Sequence, residues 1–288
     1  MNKKIYVLGS SGYIGNILMR ELPYYFIDVI GIDRTVISDL TDYDAVESYF
    51  NKVSHKENII IINCAASGGK QQLGEYNKNE FWNNIKINDN INKLGIYYIN
   101  IGSGAEYDVS KPIVDVVEGE FYNELPKDSY GLSKNVIARH IGKNGNSRNL
   151  RLFGCFDPTE PDYRFVSTCI RNCLNSEPII VTEDKFFSWV SGIDLGFIIF
   201  GLICNQGRAI DIVDLNCAYN KKYRLSELAY IVSRICSQEV NIKIVNKTPS
   251  AEYSCNNSLL TSEYDFKFGM EDSLIDYIEK YRRIIEKN

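Results

Sequence analysis

A tyrosine and a lysine stand four residues apart in the segment YGLSK, from Tyr130 to Lys134. Residues at this spacing share one face of a helix, so the phenol and the ammonium can meet. A phenol is a poor base at neutral pH, and a neighbouring cation stabilises its ionised form. The pair is therefore suited to passing a proton to or from a substrate oxygen. The alternative is an ordinary surface pair.

A serine that could join this chemistry is Ser103, in the segment INIGSGAEYD. It follows a strand-like apolar run, which places its hydroxyl at the end of a strand. The alternative is a turn serine between two glycines. Gly104 and Ala105 come next, and neither carries a group that can act as an acid or a base.

A glycine-rich loop, GSSGYIG, lies between the first strand-like and the first helical segment. Its spacing G-x-x-G-x-x-G is a variant of the dinucleotide fingerprint. Glycines permit a tight turn and let a pyrophosphate approach backbone N–H groups, and the helix N-terminus adds a favourable dipole. Because strand, loop and helix follow in order, the pattern predicts a dinucleotide site rather than an empty turn. The predicted contacts are Gly9, Ser11, Gly12, Tyr13 and Ile14.

Two charged residues after the second strand-like segment point to different cofactors. Asp33 stands where an acidic side chain binds the ribose 2′-hydroxyl of NAD, and Arg34 suits the 2′-phosphate of NADP. The choice between NAD and NADP therefore stays open. Residues 35–39 are too few for a helix and a strand, so one βα unit must be cut short. Asp39 and Leu40 are then placed to contact the adenine, unless Asp39 or Thr41 caps a helix.

The elements that hold these residues alternate along the first half of the chain. Short, apolar strand-like runs alternate with segments of helical period, which is typical of a parallel sheet covered on both faces. We predict strands at 4–8, 26–32, 59–63, 96–101 and 149–153, and helices at 13–22, 42–53, 79–92 and 130–141. In the second half we predict helices at 164–174, 194–204, 226–237 and 272–286, and strands at 178–181, 209–213 and 240–245. Ser226 is the expected N-cap of its helix.

The composition bounds the class of protein. The chain has 288 residues, 44% of them hydrophobic, and a formal net charge of −5, which disfavours a nucleic-acid partner. Its eight cysteines lack metal-site spacing, and no signal peptide precedes the first strand, so reduced cytoplasmic thiols and no metal are expected. Cys169 and Cys173 are expected in the core. The apolar run from Leu195 to Cys204 is shorter than the ~20 residues of a membrane span.

Six motifs occur in a familiar order: GSSGYIG, DLTD, NCAASGG (63–69), GSGAEY, YGLSK and LRLFGCFDP (150–158). By these motifs the chain resembles an extended short-chain dehydrogenase/reductase of the NAD-dependent epimerase/dehydratase family, in the branch that acts on nucleotide-diphosphate sugars. The resemblance implies an α/β fold, with a Rossmann-type doubly wound parallel sheet and a smaller C-terminal α/β domain. The cofactor domain would span 1–156, with a returning segment near 186–213. The mostly substrate-binding domain would span 157–288, and a homodimer is expected.

The resemblance also implies roles for the residues above. Ser103 and Tyr130 would hydrogen-bond the substrate oxygen, and Tyr130 would pass the proton. Lys134 would bind the nicotinamide ribose and tune Tyr130, while the hydride moves to or from nicotinamide C4. The motif NCAASGG adds three expected cofactor contacts, which are Cys64, Ala65 and Ala66.

The stretch AASGG and the short link after the second strand resemble GDP-fucose synthase and related deoxysugar reductases. That synthase also epimerises its substrate with a cysteine and a histidine. Here Ala105 and Arg164 stand at those positions, and neither His55 nor His140 suits the histidine's role. The family's 4,6-dehydratases carry an Asp-Glu pair where Gly104 and Ala105 stand. The prediction is NAD(P)H-dependent reduction of a 4-keto, 6-deoxy nucleotide sugar for polysaccharide biosynthesis, with NADPH favoured.

Two alternatives accompany this prediction. A nucleotide-sugar 4-epimerase needs only the same serine, tyrosine and lysine. A non-catalytic dinucleotide-binding protein is the second alternative, but such chains typically lose the tyrosine or the lysine, and this one keeps both. The expected substrate contacts are Ser103, Gly104, Ala105, Arg164 and Lys185. Arg164 and Lys185 would bind the diphosphate, or else be surface charges. Asn84 or Asn83 matches a helix asparagine near the family's active site, with an interhelical hydrogen bond as its alternative.

Overall fold

A six-stranded parallel sheet forms the centre of the molecule. The computed structural model describes residues 3–68, 77–144, 147–205, 213–246 and 252–285. The strands of the central sheet are β1 (Lys4–Leu8), β2 (Asp28–Ile32), β3 (Ile59–Asn63), β4 (Tyr98–Ser103), β6 (Ser147–Leu152) and β11 (Asp214–Cys217). Their spatial order is β2-β1-β3-β4-β6-β11, and every pairing is parallel.

Helices cover both faces of this sheet. In chain order, the described helices are α1 (Tyr13–Glu21), α2 (Tyr43–Asn51), α3 (Lys78–Lys93), α4 (Ser129–Asn144), α5 (Phe165–Leu174), α6 (Gly192–Cys204), α7 (Leu225–Cys236), α8 (Ser258–Thr261) and α9 (Met270–Ile285). Of these, α5, α7 and α9 pack together in a separate cluster in the second half of the chain. Helices α1 and α6 share one apolar cluster with alternate residues of β1 and β3, and α2, α3 and α4 share another with the opposite faces of those strands. The sequence IIIIN of β3 is buried throughout because both its faces are covered.

After β2, the order in which strands are added to the sheet reverses, so β3 lies on the other side of β1. In the described part of the chain β2 is the edge strand, and α2 leads directly to β3 on the far side of β1. This is the shortened βα unit expected from the link at 35–39. The predicted fold class, an α/β protein with a parallel Rossmann-type sheet, is confirmed. The proposed bounds of the two domains stay a prediction.

Small sheets join the second half of the chain to the first. One contains β5 (Ile113–Val116), β9 (Phe186–Phe187), β12 (Tyr223–Arg224) and β14 (Tyr253–Cys255), in the order β12-β9-β14-β5. The others pair β7 (Gly154–Phe156) with β10 (Trp189–Ser191), and β8 (Ile179–Glu183) with β13 (Ile242–Asn246). Because β14 pairs with both β5 and β9, it brings a late segment of the chain beside the sequence that follows β4.

Ser226 is not a helix cap, contrary to the prediction. Helix α7 begins at Leu225, so Ser226 lies inside its first turn. The backbone N–H and the hydroxyl of Ser226 both donate to the Asp184 carboxylate, each at 2.9 Å. The carboxylate of Asp184, which is distant in sequence, therefore binds a free N–H group at the start of α7, the capping role that the local pattern had assigned to Ser226.

The cap of α2 is Asp42, so the alternative role considered for Asp39 and Thr41 does not apply to this helix. Asp42 accepts hydrogen bonds from the N–H groups of Asp44 and Ala45. Of the predicted strand 209–213, residues 209–212 lie outside the described residues, and the observed strand is β11. Gly69 and the predicted helix end at Glu286 lie outside them as well.

The cysteines and the apolar helix behave as core elements. Cys169 and Cys173 are buried in α5, and the Cys173 thiol hydrogen-bonds that of Cys236 in α7. All eight cysteines are unpaired thiols. Over the described ranges, no three His, Cys, Asp or Glu side chains are grouped to hold a metal ion, and no helix combines the length and apolarity needed to cross a bilayer.

Candidate active site

The glycine loop, residues Gly9–Gly15, packs directly on the chain that leaves β3. Gly9 has a φ of +75°, and a Cβ there would lie 2.8 Å from the Cα of Ala65. A Cβ on Gly15 would lie 2.8 Å from the carbonyl carbon of Gly9 and closer still to its oxygen. Both positions therefore require glycine, because backbone atoms occupy the space a side chain would need.

The start of α1 is open for an anion. Gly12 precedes the helix, and no described side chain caps it. The first N–H groups of a helix lack intrahelical partners and carry a partial positive charge. Ser11 and Gly12 are exposed, and Ile14 is half-buried. This exposed, uncapped glycine turn fits the pyrophosphate of a dinucleotide.

Tyr13 uses its side chain to fix the loop from the other side. Its hydroxyl donates to the carbonyl of Cys155 at 3.1 Å. The guanidinium of Arg164 lies 4.7 Å from the centre of the Tyr13 ring. The side chain is thus held by the second half of the chain, while the backbone of Tyr13 stays in the exposed turn.

Asp33 lies at the end of β2 with its carboxylate organised. Its Oδ1 accepts from the Thr35 N–H at 2.9 Å and from the Thr35 hydroxyl at 2.6 Å. These hydrogen bonds lower the pKa of Asp33. The carboxylate is therefore ionised and able to accept from a ribose hydroxyl, and Arg34 is exposed beside it. The structure retains both features, so it does not choose between NAD and NADP.

The predicted adenine contacts differ in their exposure. Asp39 is exposed and accepts from the Thr41 N–H at 2.8 Å, and this backbone hydrogen bond is the main cause that lowers the pKa of Asp39. Leu40 is half-buried against the core, and its carbonyl accepts from Asn90 at 3.0 Å. Neither observation tests a contact with adenine, so both residues stay predictions.

The segment that follows β3, residues 64–67, packs against the glycine loop, and we call it the cofactor wall. The N–H of Cys64 donates to the Leu8 carbonyl at 2.9 Å, which continues the strand pairing. Burial raises the pKa of the Cys64 thiol to about 12, against the opposing effect of Lys134. Cys64 is therefore a neutral thiol. Ala65 is half-buried against Gly9, and Ala66 is exposed.

Tyr130 and Lys134 lie in the first turns of α4. The Lys134 ammonium is 5.9 Å from the centre of the Tyr130 ring, so the expected pairing on one helix face is observed. Lys134 is buried and donates to the Ile101 carbonyl at 2.8 Å. This bond uses one of its three N–H groups and fixes the cation beside β4, two residues before Ser103.

The serine turn, residues Ser103–Glu106, packs against the start of α4. The Ser103 hydroxyl accepts from the Ala105 N–H at 3.2 Å. A Cβ on Gly131 would lie 2.5 Å from the Ala105 carbonyl oxygen, so the turn and the helix are in direct contact. The structure thereby brings the serine turn to the helix that carries Tyr130 and Lys134.

Asn84 rather than Asn83 ties this helix to the cofactor wall. The buried amide of Asn84 donates to the Ser67 carbonyl at 3.0 Å and to the Ser133 hydroxyl at 2.9 Å, and it accepts from the Ser67 N–H at 2.6 Å. Ser133 in turn donates to the Tyr130 carbonyl at 2.7 Å. The interhelical bond considered from the sequence is present, and it also fixes the segment after β3.

Sequence reasoning missed a buried ionic network beneath the serine turn, formed by Glu106, Asn149, Arg151 and Asp214. Glu106 accepts from the Ser103 N–H at 2.9 Å and from Arg151 Nε at 2.6 Å. Arg151 also donates to Asp214 at 2.7 Å. Glu106 and Arg151 are fully buried. Charges without access to water need such partners, so this Glu106 network fixes the backbone of Ser103.

A row of asparagines links the Glu106 network to the cofactor wall. Asn149 accepts from Asn100 at 2.7 Å, and Asn100 accepts from Asn63 at 3.0 Å. Asn63 accepts from the Ala65 N–H at 3.1 Å. The three asparagines are partners in the register of β3, β4 and β6, so one buried chain of hydrogen bonds connects the serine turn with Ala65.

A second missed residue is Tyr253 of β14. Its ring packs against Phe153 and Phe187, with centroid distances of 5.1 and 4.8 Å. Its phenol lies against the serine turn, because a Cβ on Gly104 would lie 2.7 Å from Cζ of Tyr253, and it is close enough to Ser103 and Tyr130 to interact with both electrostatically. Nothing in the local sequence signals this contact, because it depends on the pairing of β14 with β5 and β9.

The two basic residues predicted at the substrate have separate partners. Arg164 lies over Tyr13 of the glycine loop, and its Nε is 3.3 Å from a carboxyl oxygen of Glu160. Burial raises the pKa of Glu160 to about 8, which Arg164 opposes. Lys185 lies 3.7 Å from Glu183. Their proposed contacts with a diphosphate stay predictions.

The histidines have partners of their own. His55 is exposed in the turn before β3, where its ring lies 3.3 Å from Glu57. His140 lies within α4, where its ring is 3.3 Å from the Asn88 amide of α3. The expectation that neither histidine serves the serine turn stays a prediction.

Comparisons with known proteins identify the fold and the family of this chain. The model of the NAD dependent epimerase/dehydratase family matches residues 5–190. GDP-mannoheptose C4 reductase from Campylobacter jejuni with NADP bound is 16% identical over 98% of both chains, with a TM-score of 0.81. The Thermus thermophilus UDP-glucose 4-epimerase complex with NAD is 13% identical over 97% of this chain and 99% of that one, with a TM-score of 0.76.

A GDP-L-fucose synthetase from Naegleria fowleri bound to NADP is 14% identical over 99% of this chain and 94% of that one, with a TM-score of 0.77. At these identities the solved structures show a shared fold. The family match covers more than half of the chain and confirms the predicted dependence on a nicotinamide dinucleotide and the enzyme class. This chain belongs to the NAD dependent epimerase/dehydratase family.

Proposed function

We propose that the protein reduces a 4-keto, 6-deoxy sugar linked to a nucleoside diphosphate, with NADPH or NADH as reductant. The observation that carries this proposal is the combination of the Ser103, Tyr130 and Lys134 side chains with a serine turn that lacks a free acid or base. The likeness in fold to a sugar-nucleotide C4 reductase supports it.

The chain offers a consistent set of groups to hold the cofactor. The glycine loop would take the pyrophosphate, Asp33 or Arg34 the adenosine ribose, and Lys134 the nicotinamide ribose. When bound, the nicotinamide supplies the hydride. The close contact of Gly9 with Ala65 leaves the loop's exposed face as the place for the pyrophosphate.

The protein's own residues would handle the proton. Ser103 donates a hydrogen bond to the carbonyl oxygen, and Tyr130 transfers its phenolic proton to that oxygen as it becomes an alkoxide. The Lys134 ammonium, held in place by the Ile101 carbonyl, stabilises the phenolate that Tyr130 leaves behind. Water then returns the proton to Tyr130.

The serine turn supplies no second acid or base for dehydration or for epimerisation beside the carbonyl. Gly104 and Ala105 are inert, and the carboxylate of Glu106 is fully buried and engaged by Ser103 and Arg151. Simple hydride transfer is the reaction that requires the fewest groups. A 4-epimerase would use the same three side chains, so it is the second candidate.

The test is a rate measurement with NADH or NADPH and a panel of GDP-, CDP-, dTDP- and UDP-linked 4-keto sugars, followed by nicotinamide absorbance. We expect stoichiometric oxidation of the cofactor with one member of the panel. Tyr130→Phe should lower kcat at least about 100-fold because the proton donor is lost, while the affinity for NADPH, measured by fluorescence titration, is retained.

Tyr230→Phe is the matched control, because Tyr230 is 60% exposed on α7. Its kcat should equal that of the parent protein. A Tyr130→Phe protein that keeps most of its activity would contradict the assignment. Interconversion of 4-hydroxy sugar nucleotides without net consumption of the cofactor would establish the epimerase instead.

A further inference from the structure

The Tyr253 phenol is delivered to Ser103 by a rigid support. Strand β14 pairs with β9 through Phe187 and with β5 through Ile113, so both sides of Tyr253 are held. The Tyr253 carbonyl accepts from the Ser188 N–H at 3.1 Å. The aromatic ring of Phe153 packs against the phenol as well. A side chain fixed on so many sides holds its hydroxyl in one place.

Gly104 makes room for this phenol. A Cβ on Gly104 would lie 2.7 Å from Cζ of Tyr253 and closer still to the hydroxyl. Any residue other than glycine would therefore displace the phenol from the serine turn. The missing side chain at position 104 has a positive consequence, because a phenol from the second half of the chain occupies that space.

The hydrogen bonds of Ser103 can be counted. A serine hydroxyl has one proton to donate and two lone pairs that accept. The Ala105 N–H occupies one lone pair at 3.2 Å. The Tyr253 hydroxyl lies next to Gly104, the residue after Ser103, so it can reach the other lone pair. Burial raises the pKa of Tyr253, so the phenol has a proton to donate. The proton of Ser103 is then left for a third partner.

We propose that Tyr253 is a positioning residue, which occupies a lone pair of Ser103 and so directs the Ser103 proton toward the substrate oxygen. The inference rests on the proposed function, since it requires a carbonyl in front of Ser103. It extends that function, because it adds a residue from the second half of the chain to the proton-handling machinery.

Tyr253→Phe tests the proposal, because it removes the hydroxyl and keeps the ring that packs against Phe153 and Phe187. With the panel substrate that reacts fastest and NADPH, kcat should fall about tenfold, the cost of one oriented hydrogen bond in the transition state. KM and the NADPH dissociation constant should change less than about twofold. A purely structural role would not separate kcat from KM in this way.

Tyr107→Phe is the matched control. Its phenol is buried in the same apolar cluster and donates to the Val117 carbonyl at 2.8 Å instead of to Ser103. Its loss should leave kcat unchanged.

Gly104→Ala is a second variant, because it displaces the Tyr253 phenol without removing it. Its kcat should fall by a similar factor, and the Gly104→Ala/Tyr253→Phe double variant should be no slower.

A double-mutant cycle with Ser103→Ala decides the outcome. If Tyr253 acts through Ser103, Tyr253→Phe has no further effect on kcat in the Ser103→Ala background. The same tenfold loss in both backgrounds, or full kcat in Tyr253→Phe alone, would overturn the inference. If Ser103→Ala itself keeps full kcat, the proposed function fails. If Ser103→Ala is slow and Tyr253→Phe is not, only the role of Tyr253 fails.

Discussion

The glycine loop and the serine turn hold their functional groups by opposite means. In the glycine loop, Gly9 and Gly15 let backbone atoms approach so closely that an added carbon would collide with Ala65 or with Gly9 itself. The serine turn rests on full charges, because Glu106 binds the Ser103 N–H and is in turn bound by Arg151. One region depends on absent side chains and the other on buried, ionised ones.

The difference predicts how each region fails. A buried ion pair that loses one partner leaves an uncompensated charge, so the penalty falls on the stability of the whole domain. A glycine loop that gains a carbon shifts locally, so the penalty falls on the ligand the loop would bind. Substitutions in the two regions should therefore separate stability from cofactor affinity.

Arg151→Ala should give the largest effect. It leaves Glu106 and Asp214 buried without the guanidinium that bridges them, and the expected loss in the free energy of unfolding is about 3–5 kcal/mol. Urea unfolding followed by circular dichroism measures it. The same protein should lose activity in proportion to the folded fraction that remains.

Arg234→Ala provides the control for this loss. Arg234 pairs with Glu271 at the surface, where the two side chains are 64% and 53% exposed. Such a pair contributes at most about 1 kcal/mol. Equal losses in the two variants would show that burial does not distinguish the Glu106 network from a surface ion pair.

Gly15→Ala should separate affinity from stability in the opposite direction. Its Cβ would meet the backbone of Gly9, so the glycine loop must move. Alanine also favours the helix by up to about 1 kcal/mol, which offsets part of the strain in the free protein. We expect the NADPH dissociation constant to rise about 100-fold, or ~2.7 kcal/mol, with a much smaller change in the free energy of unfolding.

Fluorescence titration and thermal melting measure these two quantities. Gly119→Ala is the matched control, because an added Cβ there would meet none of the described atoms within 4 Å. It should leave the NADPH affinity unchanged. If Gly15→Ala lost stability and kept its affinity, the contrast between the two regions would be wrong.

The two regions also differ in how far the sequence predicts them. The glycine loop and the pair Tyr130 and Lys134 are local patterns, so spacing alone placed their backbones and facing side chains. Asp33 at the end of β2 follows from the same local order. The expected N-cap at Ser226 failed for the converse reason, since the group that binds its N–H is Asp184, far away in sequence.

The sequence indicates that Arg151 needs a buried partner, but it does not identify that partner as Glu106. Arg151 stands in the apolar run LRLF, and a cation within a buried strand requires a partner. The chain has 37 acidic residues, and no spacing rule selects Glu106 and Asp214 among them. Tyr253 gave no such signal, because only the pairing of β14 brings it to Ser103. The helices and strands could be predicted from the sequence, but the contacts between residues of distant segments could not.

The smallest expected effect concerns Glu160. Its partner Arg164 packs on Tyr13 of the glycine loop. Burial raises the pKa of Glu160 to about 8 from a reference of 4.5, while Arg164 opposes the shift and packs on Tyr13. Between these values the folded protein holds a proton that the unfolded chain has released. Stability should therefore fall as the pH rises through this window, by at most about 1.4 kcal/mol per pH unit, and level off above it.

Glu160→Gln removes this titration, so urea unfolding at about pH 6 and about pH 8 should show the parent protein losing stability relative to the variant as the pH rises. Glu279→Gln, at an exposed position paired with Arg283, should show no such change. A parent-to-variant difference that stays constant with pH would mean that Arg164 keeps Glu160 ionised throughout. Arg164 and Glu160 would then form a permanent ion pair beside Tyr13. The glycine loop, like the serine turn, would be supported by buried charge.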